Sequence, residues 1–263
     1  MTKQEQLRFL IAELQKEMPE YAEEEMPKDE AGAFELFRAL ANLRMPGAHK
    51  LPEEFYAAEA EVLRAITREK GVTDGESLAT VKSDSRLAIW QGDITTLKVD
   101  AIVNAANSQM LGCFVPRHYC IDNAIHTMAG VELREKCLEI MRAQGHEEPV
   151  GQAKITPGYN LPAKYVLHTV GPIVSGPLTM AHRSLLASCY RACLSLAAEY
   201  GCHTVAFCCI STGVFHFPPP EAAAIAVKTV RAYLDDHPAA LGKVVFNVFT
   251  DSDRRLYEAL LEK

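Results

Sequence analysis

From about Leu87 to its end, this chain alternates short apolar runs with longer amphipathic ones. The short runs, at residues 87–91, 101–104, 153–156, 165–170, 204–210 and 244–249, have the length of strands. Helical patterns fall between and after them, roughly at residues 123–143, 182–200, 220–235 and 252–261. This alternation predicts an α/β fold, a three-layer α/β/α arrangement whose mixed, largely parallel sheet carries helices on both faces. Sheets of this kind bind ligands at the loops that leave the strands toward the helices.

Residues 1–80 read differently. Three helical faces repeat apolar residues: Leu7, Leu10, Ile11 and Leu14; Phe34, Phe37, Leu40 and Leu43; Phe55, Val62, Leu63 and Ile66. Thr2-x-x-Glu5 has the spacing of a capping box, and Pro19, Met45-Pro46-Gly47 and Gly71 stop the three helices. Residues 1–80 hold ten Lys and Arg against seventeen Asp and Glu, whereas residues 81–263 hold seventeen of each. The whole net charge of −7 therefore sits in the first part. We expect an acidic helical N-terminal extension over 1–80, dispensable for chemistry but contributing to stability or target choice, and one α/β domain over 81–263. The charge balance excludes a general nucleic-acid binder, which needs a basic face. The longest apolar run, residues 222–227, is too short to span a bilayer. Early acids at Glu5 and Glu13, and no apolar leader, predict a cytoplasmic protein without a membrane partner.

The densest chemistry lies in residues 104–123, directly after the 101–104 run. Here stand Asn104, Asn107 and Asp122, with Cys113, His118 and Cys120 at C-x4-H-x-C spacing. Zinc takes thiolate and imidazole, and a catalytic zinc commonly has three protein ligands and one open position. A Cys113–Cys120 disulfide is an alternative that a reducing compartment disfavours. A structural zinc that only fixes an irregular loop is the stronger rival. Of the other cysteines, Cys189, Cys193, Cys208 and Cys209 sit in apolar patterns that read as core, and Cys137 and Cys202 are expected to be inert.

Seven signatures follow one another in order: Gln91-Gly92-Asp93-Ile94-Thr95; residues 104–108; Ile121-Asp122-Asn123-Ala124-Ile125-His126 with Ala129-Gly130; Gly151-x-Ala153-x-x-Thr156; Tyr165 through Pro172; Ser211-Thr212-Gly213-Val214-Phe215; and the late strand ending in Phe249. Together, over roughly residues 85–263, they resemble the macrodomain family of ADP-ribose-binding modules. The resemblance implies that Asp93 and Ile94 meet the adenine, with the Asp93 carboxylate accepting from its amino group. It also implies that Phe249 stacks on that base and that Asn107 reaches the distal ribose. Ser211 to Phe215 would cradle the diphosphate with backbone N–H groups, Gly213 permitting close approach. His126 and His168, in apolar patterns, are expected to be structural.

Typical hydrolytic macrodomains carry a run of glycines where this chain has residues 112–120. That departure, together with the N-terminal helices, is similar to the zinc-containing macrodomain subfamily. The subfamily resemblance implies a Zn2+-dependent hydrolase that removes ADP-ribose from Asp- or Glu-linked protein, with Asn107 orienting the ribose and Asp122 holding or deprotonating water. It further implies an ADP-ribosylated partner, such as a lipoyl-carrier protein modified by a sirtuin-type ADP-ribosyltransferase. The alternatives are a reader that binds ADP-ribose without cleaving it, and a deacylase of O-acyl-ADP-ribose.

Overall fold

A computed structural model describes residues 1–47 and 49–262. Three helices come first: α1 (Lys3–Glu17), α2 (Glu30–Leu43) and α3 (Glu53–Lys70). The Thr2/Glu5 capping box forms at the start of α1, and Gly71 closes α3. Then follow β1 (Thr73–Asp74), β2 (Thr80–Val81), β3 (Asp84–Gln91), β4 (Leu97–Lys98) and β5 (Ala101–Ala106). Helices α4 (Ile121–Ala129) and α5 (Val131–Gln144) precede β6 (Ala153–Pro157) and β7 (Tyr165–Val170). The chain ends with α6 (Met180–Glu199), β8 (Thr204–Phe207), α7 (Pro219–Asp236), β9 (Lys243–Val248) and α8 (Asp251–Leu261).

A seven-stranded sheet runs β2-β3-β9-β8-β5-β7-β6. Its five inner strands are mutually parallel, and only the edge strands β2 and β6 are antiparallel. Helices α6, α7 and α8 pack on one face and α4 and α5 on the other, which is the predicted α/β/α sandwich. Strands β5 and β8 are buried along nearly their whole length, as an apolar run between two helical layers must be.

The N-terminal helices do not form a separate core. Leu10, Phe37 and Phe55 belong to the same hydrophobic cluster as Leu87, Ile102 and Val103. Burying side chains of that size stabilises the fold by roughly 2–3 kcal/mol each. The joint is polar as well: Arg134 on α5 donates from Nη1 to the carbonyls of Ala41, Asn42 and Arg44 at 3.1, 2.7 and 3.1 Å. A cation on the last carbonyls of α2 satisfies groups that the helix itself leaves open. Residues 73–81 add β1, which pairs with β4, and β2, which pairs with β3.

Several elements differ from the sequence reading. The helix expected over 123–143 is two helices, because Gly130 adopts φ +96 between them. A side chain there would lie 2.6 Å from Glu59 Oε2. The strand expected over 204–210 ends at Phe207, and β9 ends at Val248, so Phe249 leaves the sheet. Strands β1, β2 and β4 have only two residues each, too few to leave a periodic signal.

Candidate active site and metal centre

All five parallel strands point their C-terminal ends to one edge of the sheet, and the candidate residues collect there. Asp93 follows β3, Phe249 follows β9, Ser211 to Phe215 follow β8, and Asn107 follows β5. The spatial order β3-β9-β8-β5 lays them in a row. Three strand spacings separate its ends, roughly 14 Å, which suits an elongated ligand.

At the first end, Asp93 caps the short helical turn Ile94–Thr96. Its Oδ1 accepts from Thr95 N and Thr95 Oγ1 at 3.0 and 2.6 Å, and its Oδ2 accepts from Lys70 Nζ at 2.9 Å. Burial pushes this carboxyl up, but the bonds from Thr95 and Lys70 outweigh it and hold Asp93 below the ordinary carboxylate range. Ile94 is buried, which leaves its backbone as the group that can meet a ligand. Phe249 is 76% exposed, so it is no core residue and its ring is free to stack. Gly92 N donates to Val248 O at 3.1 Å and fixes the two strand ends side by side.

The middle of the row is a strained turn. Ser211 and His216 both adopt positive φ, +65 and +56, a region that costs a non-glycine residue energy. Ser211 Oγ is buried and has no hydrogen-bond partner among the described residues. Thr212 and Phe215 follow half-buried with Gly213 and Val214 exposed between them, and Val174 N donates to Phe215 O at 2.9 Å, joining the turn to the loop after β7.

Asn107 and Asp122 meet at the far end. Asn107 Nδ2 donates to Gly112 O at 3.0 Å and faces Asp122 Oδ2 at 3.4 Å, while its Oδ1 accepts from Gln109 N and Met110 N. Asn104, within β5, donates from Nδ2 to Asp122 Oδ1 at 2.8 Å. Burial pushes Asp122 up to about 6, against the pull of Asn104 and Arg134. Behind them, His168 is buried between Asn104 and Thr156, and burial holds it down to about 3. His126 is likewise buried and held well below its ordinary value by burial, with its Nε2 3.5 Å from Asp122 Oδ1. Both rings lie buried behind the Asn107–Asp122 pair.

The loop between Asn107 and Asp122 brings Cys113, His118 and Cys120 together, with their donor atoms all within 4.8 Å of one another. Cys113 Sγ lies 3.5 Å from His118 Nδ1. A tetrahedral zinc with ordinary Zn–S and Zn–N bonds would separate two such donors by about 3.6 Å. The donor set therefore fits zinc in both chemistry and spacing. Cys120 Sγ also accepts from Asn123 N at 3.4 Å and so caps α4. Burial pushes the Cys120 thiol up to about 12, with the nearby Cys113 adding to the rise, and a bound dication would reverse that by drawing off the proton. Among the described residues, His126, Cys137 and His168 form a second group of this kind, wholly buried. His168 spends its ring nitrogens on Asn104 and Thr156, whereas both ring nitrogens of His126 are buried without a hydrogen-bond partner among the described residues.

Asn104, named with Asn107 in the sequence, is where the sequence placed it, but three contributors were missed: Lys70 on Asp93, Arg38 on the carbonyl of His118 and Arg134 on the carbonyl of Cys113. They reach the site from helices α3, α2 and α5, and no local pattern announces them.

A family model described as Macro domain matches residues 103–226. A protein of Treponema medium named protein-ADP-ribose hydrolase is 51% identical over 263 residues, covering 99% of this chain and 100% of that protein. A Staphylococcus aureus (strain MSSA476) protein of the same name is 51% identical, covering 96% of this chain and 93% of that one. Among solved structures, a Trypanosoma brucei macrodomain in complex with ADP-ribose aligns with a TM-score of 0.65 at 33% identity, covering 84% of this chain and 94% of that one. No helix among the described residues is long and apolar enough to cross a membrane.

Proposed function

The chain belongs to the macrodomain family, and from that premise we propose that it is a hydrolase that removes ADP-ribose from modified proteins, using zinc and acting on Asp- or Glu-linked ADP-ribose. The observation that carries this reading is the row of residues along the sheet edge: an adenine end at Asp93 and Phe249, a turn for a diphosphate at Ser211 to Phe215, and an amide–carboxylate pair beside three metal donors. Relatives named for this activity match along almost the whole chain, extension included, which supports a hydrolase over a reader.

In this reading Asp93 accepts from the adenine amino group and Ile94 N–H lies beside it. Thr212, Gly213, Val214 and Phe215 offer backbone N–H groups to the phosphates, where positive φ turns form anion-binding concavities. Asn107 orients the distal ribose. Asp122, held at one oxygen by Asn104, presents the other to the water that attacks the linkage and takes its proton. Cys113, His118 and Cys120 would hold the zinc, which supplies a Lewis acid for charge developing on a ribose oxygen or the attacking water. The bond from C1″ to the carboxylate breaks, and the carrier leaves with its acid restored. We place the division of labour at about residue 80, with the α/β part carrying the ligand.

The test is release of free ADP-ribose, followed by mass spectrometry, from defined Asp-, Glu-, Ser- and Arg-linked substrates and from an ADP-ribosylated lipoyl-carrier protein. Release from Asp or Glu carriers is expected. Tight binding without release marks a reader, and turnover of O-acyl-ADP-ribose alone marks a deacylase; either sinks the proposal.

Asp93 offers a second measurement. Calorimetry on Asp93→Ala should show at least a tenfold loss of ADP-ribose affinity, about 1.4 kcal/mol. The lost acceptor is held as a carboxylate by Thr95 and Lys70 before any ligand arrives, so no cost of ionising it offsets the loss. Unchanged affinity would reduce Asp93 to a turn residue tied to Lys70.

A further inference from the structure

We propose that Arg38, on helix α2 of the N-terminal extension, is a positioning residue of the metal loop and sets how tightly the Cys113–His118–Cys120 site holds its ion. The inference rests on the zinc reading above and goes beyond it in giving the extension a part in the chemistry, where the sequence suggested only stability or target choice.

The metal loop has little burial of its own. Val115, Pro116, Arg117 and Tyr119 are exposed, and Arg117 takes a φ of +58. Something outside the loop must order it before three donors can converge. Arg38 does so from α2: its Nη2 donates to the carbonyl of the ligand His118 at 3.0 Å and to Asn123 Oδ1 at 3.0 Å, and Nε adds a bond to Asn123 Oδ1 at 3.3 Å. The guanidinium also lies over the Tyr119 ring, 5.3 Å from its centroid.

Asn123 passes the constraint on. It is fully buried, it donates from Nδ2 to Val115 O at 3.1 Å, and its N–H reaches the ligand sulfur of Cys120. Asn42, one turn after Arg38 on α2, accepts from the same amide at 2.8 Å. One arginine thus fixes the backbone at one ligand and, through a single asparagine, the sulfur of another. Such outer partners orient metal ligands, and their loss typically weakens metal binding about 10–100-fold.

The experiment compares full-length wild type, Arg38→Ala, Arg38→Lys and His118→Ala. Zinc affinity is measured by chelator competition, alongside melting temperature of the metal-free proteins and ADP-ribose affinity. Wild type should hold about one zinc. Arg38→Ala should bind zinc roughly 10–100-fold more weakly while still folded and still binding ADP-ribose. Arg38→Lys should fall between them, because an ammonium reaches one of the two acceptors but lacks the planar fork that spans both. A merely structural Arg38 predicts the opposite split, a lower metal-free melting temperature with zinc affinity of the folded protein unchanged. Zinc affinity within about twofold of wild type in Arg38→Ala, or in Arg38→Lys should the alanine variant not fold, overturns the proposal. If wild type and His118→Ala bind zinc equally weakly, the zinc reading itself has failed and this inference goes with it. If only the Arg38 variants match wild type, the zinc reading stands and the positioning role is wrong.

Discussion

Replacing His118 with alanine in the full chain should lower single-turnover release of ADP-ribose about a thousandfold while ADP-ribose affinity and folding persist. The expectation comes from place: the metal donors lie on the loop that joins Asn107 to Asp122, at the end of the row where the distal ribose would sit. A Lewis acid beside the breaking bond stabilises the transition state by several kcal/mol, and each ~1.4 kcal/mol is tenfold in rate. His118 is the cleaner probe of the three ligands. Its contact with Arg38 is through the backbone carbonyl, which alanine keeps. Cys120→Ala would also remove the cap on α4, a loss of about 1 kcal/mol unrelated to the metal. A structural zinc predicts another pattern, with melting temperature, ligand affinity and rate falling together. That result would leave Asp122 as the chief catalyst and return the metal to the loop.

The second large effect lies away from the ligand row, at Glu59. This carboxyl is fully buried on α3, where it accepts from Val131 N at 3.2 and 3.3 Å beside the Gly130 break. Burial pushes it up to about 8, with the Val131 bond pulling only partly the other way. In the unfolded chain the same group titrates near 4.5. Stability from keeping Glu59 neutral is therefore complete below about pH 4.5 and is lost as pH rises through about 8. At roughly 1.4 kcal/mol per pH unit, the loss amounts to on the order of 5 kcal/mol. Glu59→Gln mimics the protonated acid and should flatten this dependence. Thermal melts at pH 5, 7 and 9 should give nearly equal values for the two proteins at the lowest pH. The variant should lead by roughly 10 °C at the highest. Parallel curves across that range would show that Glu59 does not carry the titration.

The sequence alone determined the architecture. Alternating strand-length and helix-length apolar runs dictate layers, because each face must find an apolar partner, and the five-strand parallel centre follows from the helical crossovers. It also named most of the candidate site: Asp93, Asn107 and Ser211 sit in signatures just past strand ends, which topology alone sends to one edge, and Cys113, His118, Cys120 and Asp122 crowd into the one stretch that follows β5. Phe249 needed the structure, because only the end of β9 at Val248 decides whether that ring joins the core or faces outward. Gly130 needed it too: a lone glycine inside a helical pattern is tolerated, and only the fold shows its φ of +96 and the Glu59 and Asn160 side chains that leave no room for a β-carbon there. What only tertiary structure decided is how the N-terminal helices meet the site. Lys70 on Asp93, Arg38 on His118 and Asn123, and Arg134 on the end of α2 join residues 23 to 93 positions apart. Charge on a surface helix reads as solvation in one dimension, and its partner is chosen only when two distant segments bury their apolar faces against each other.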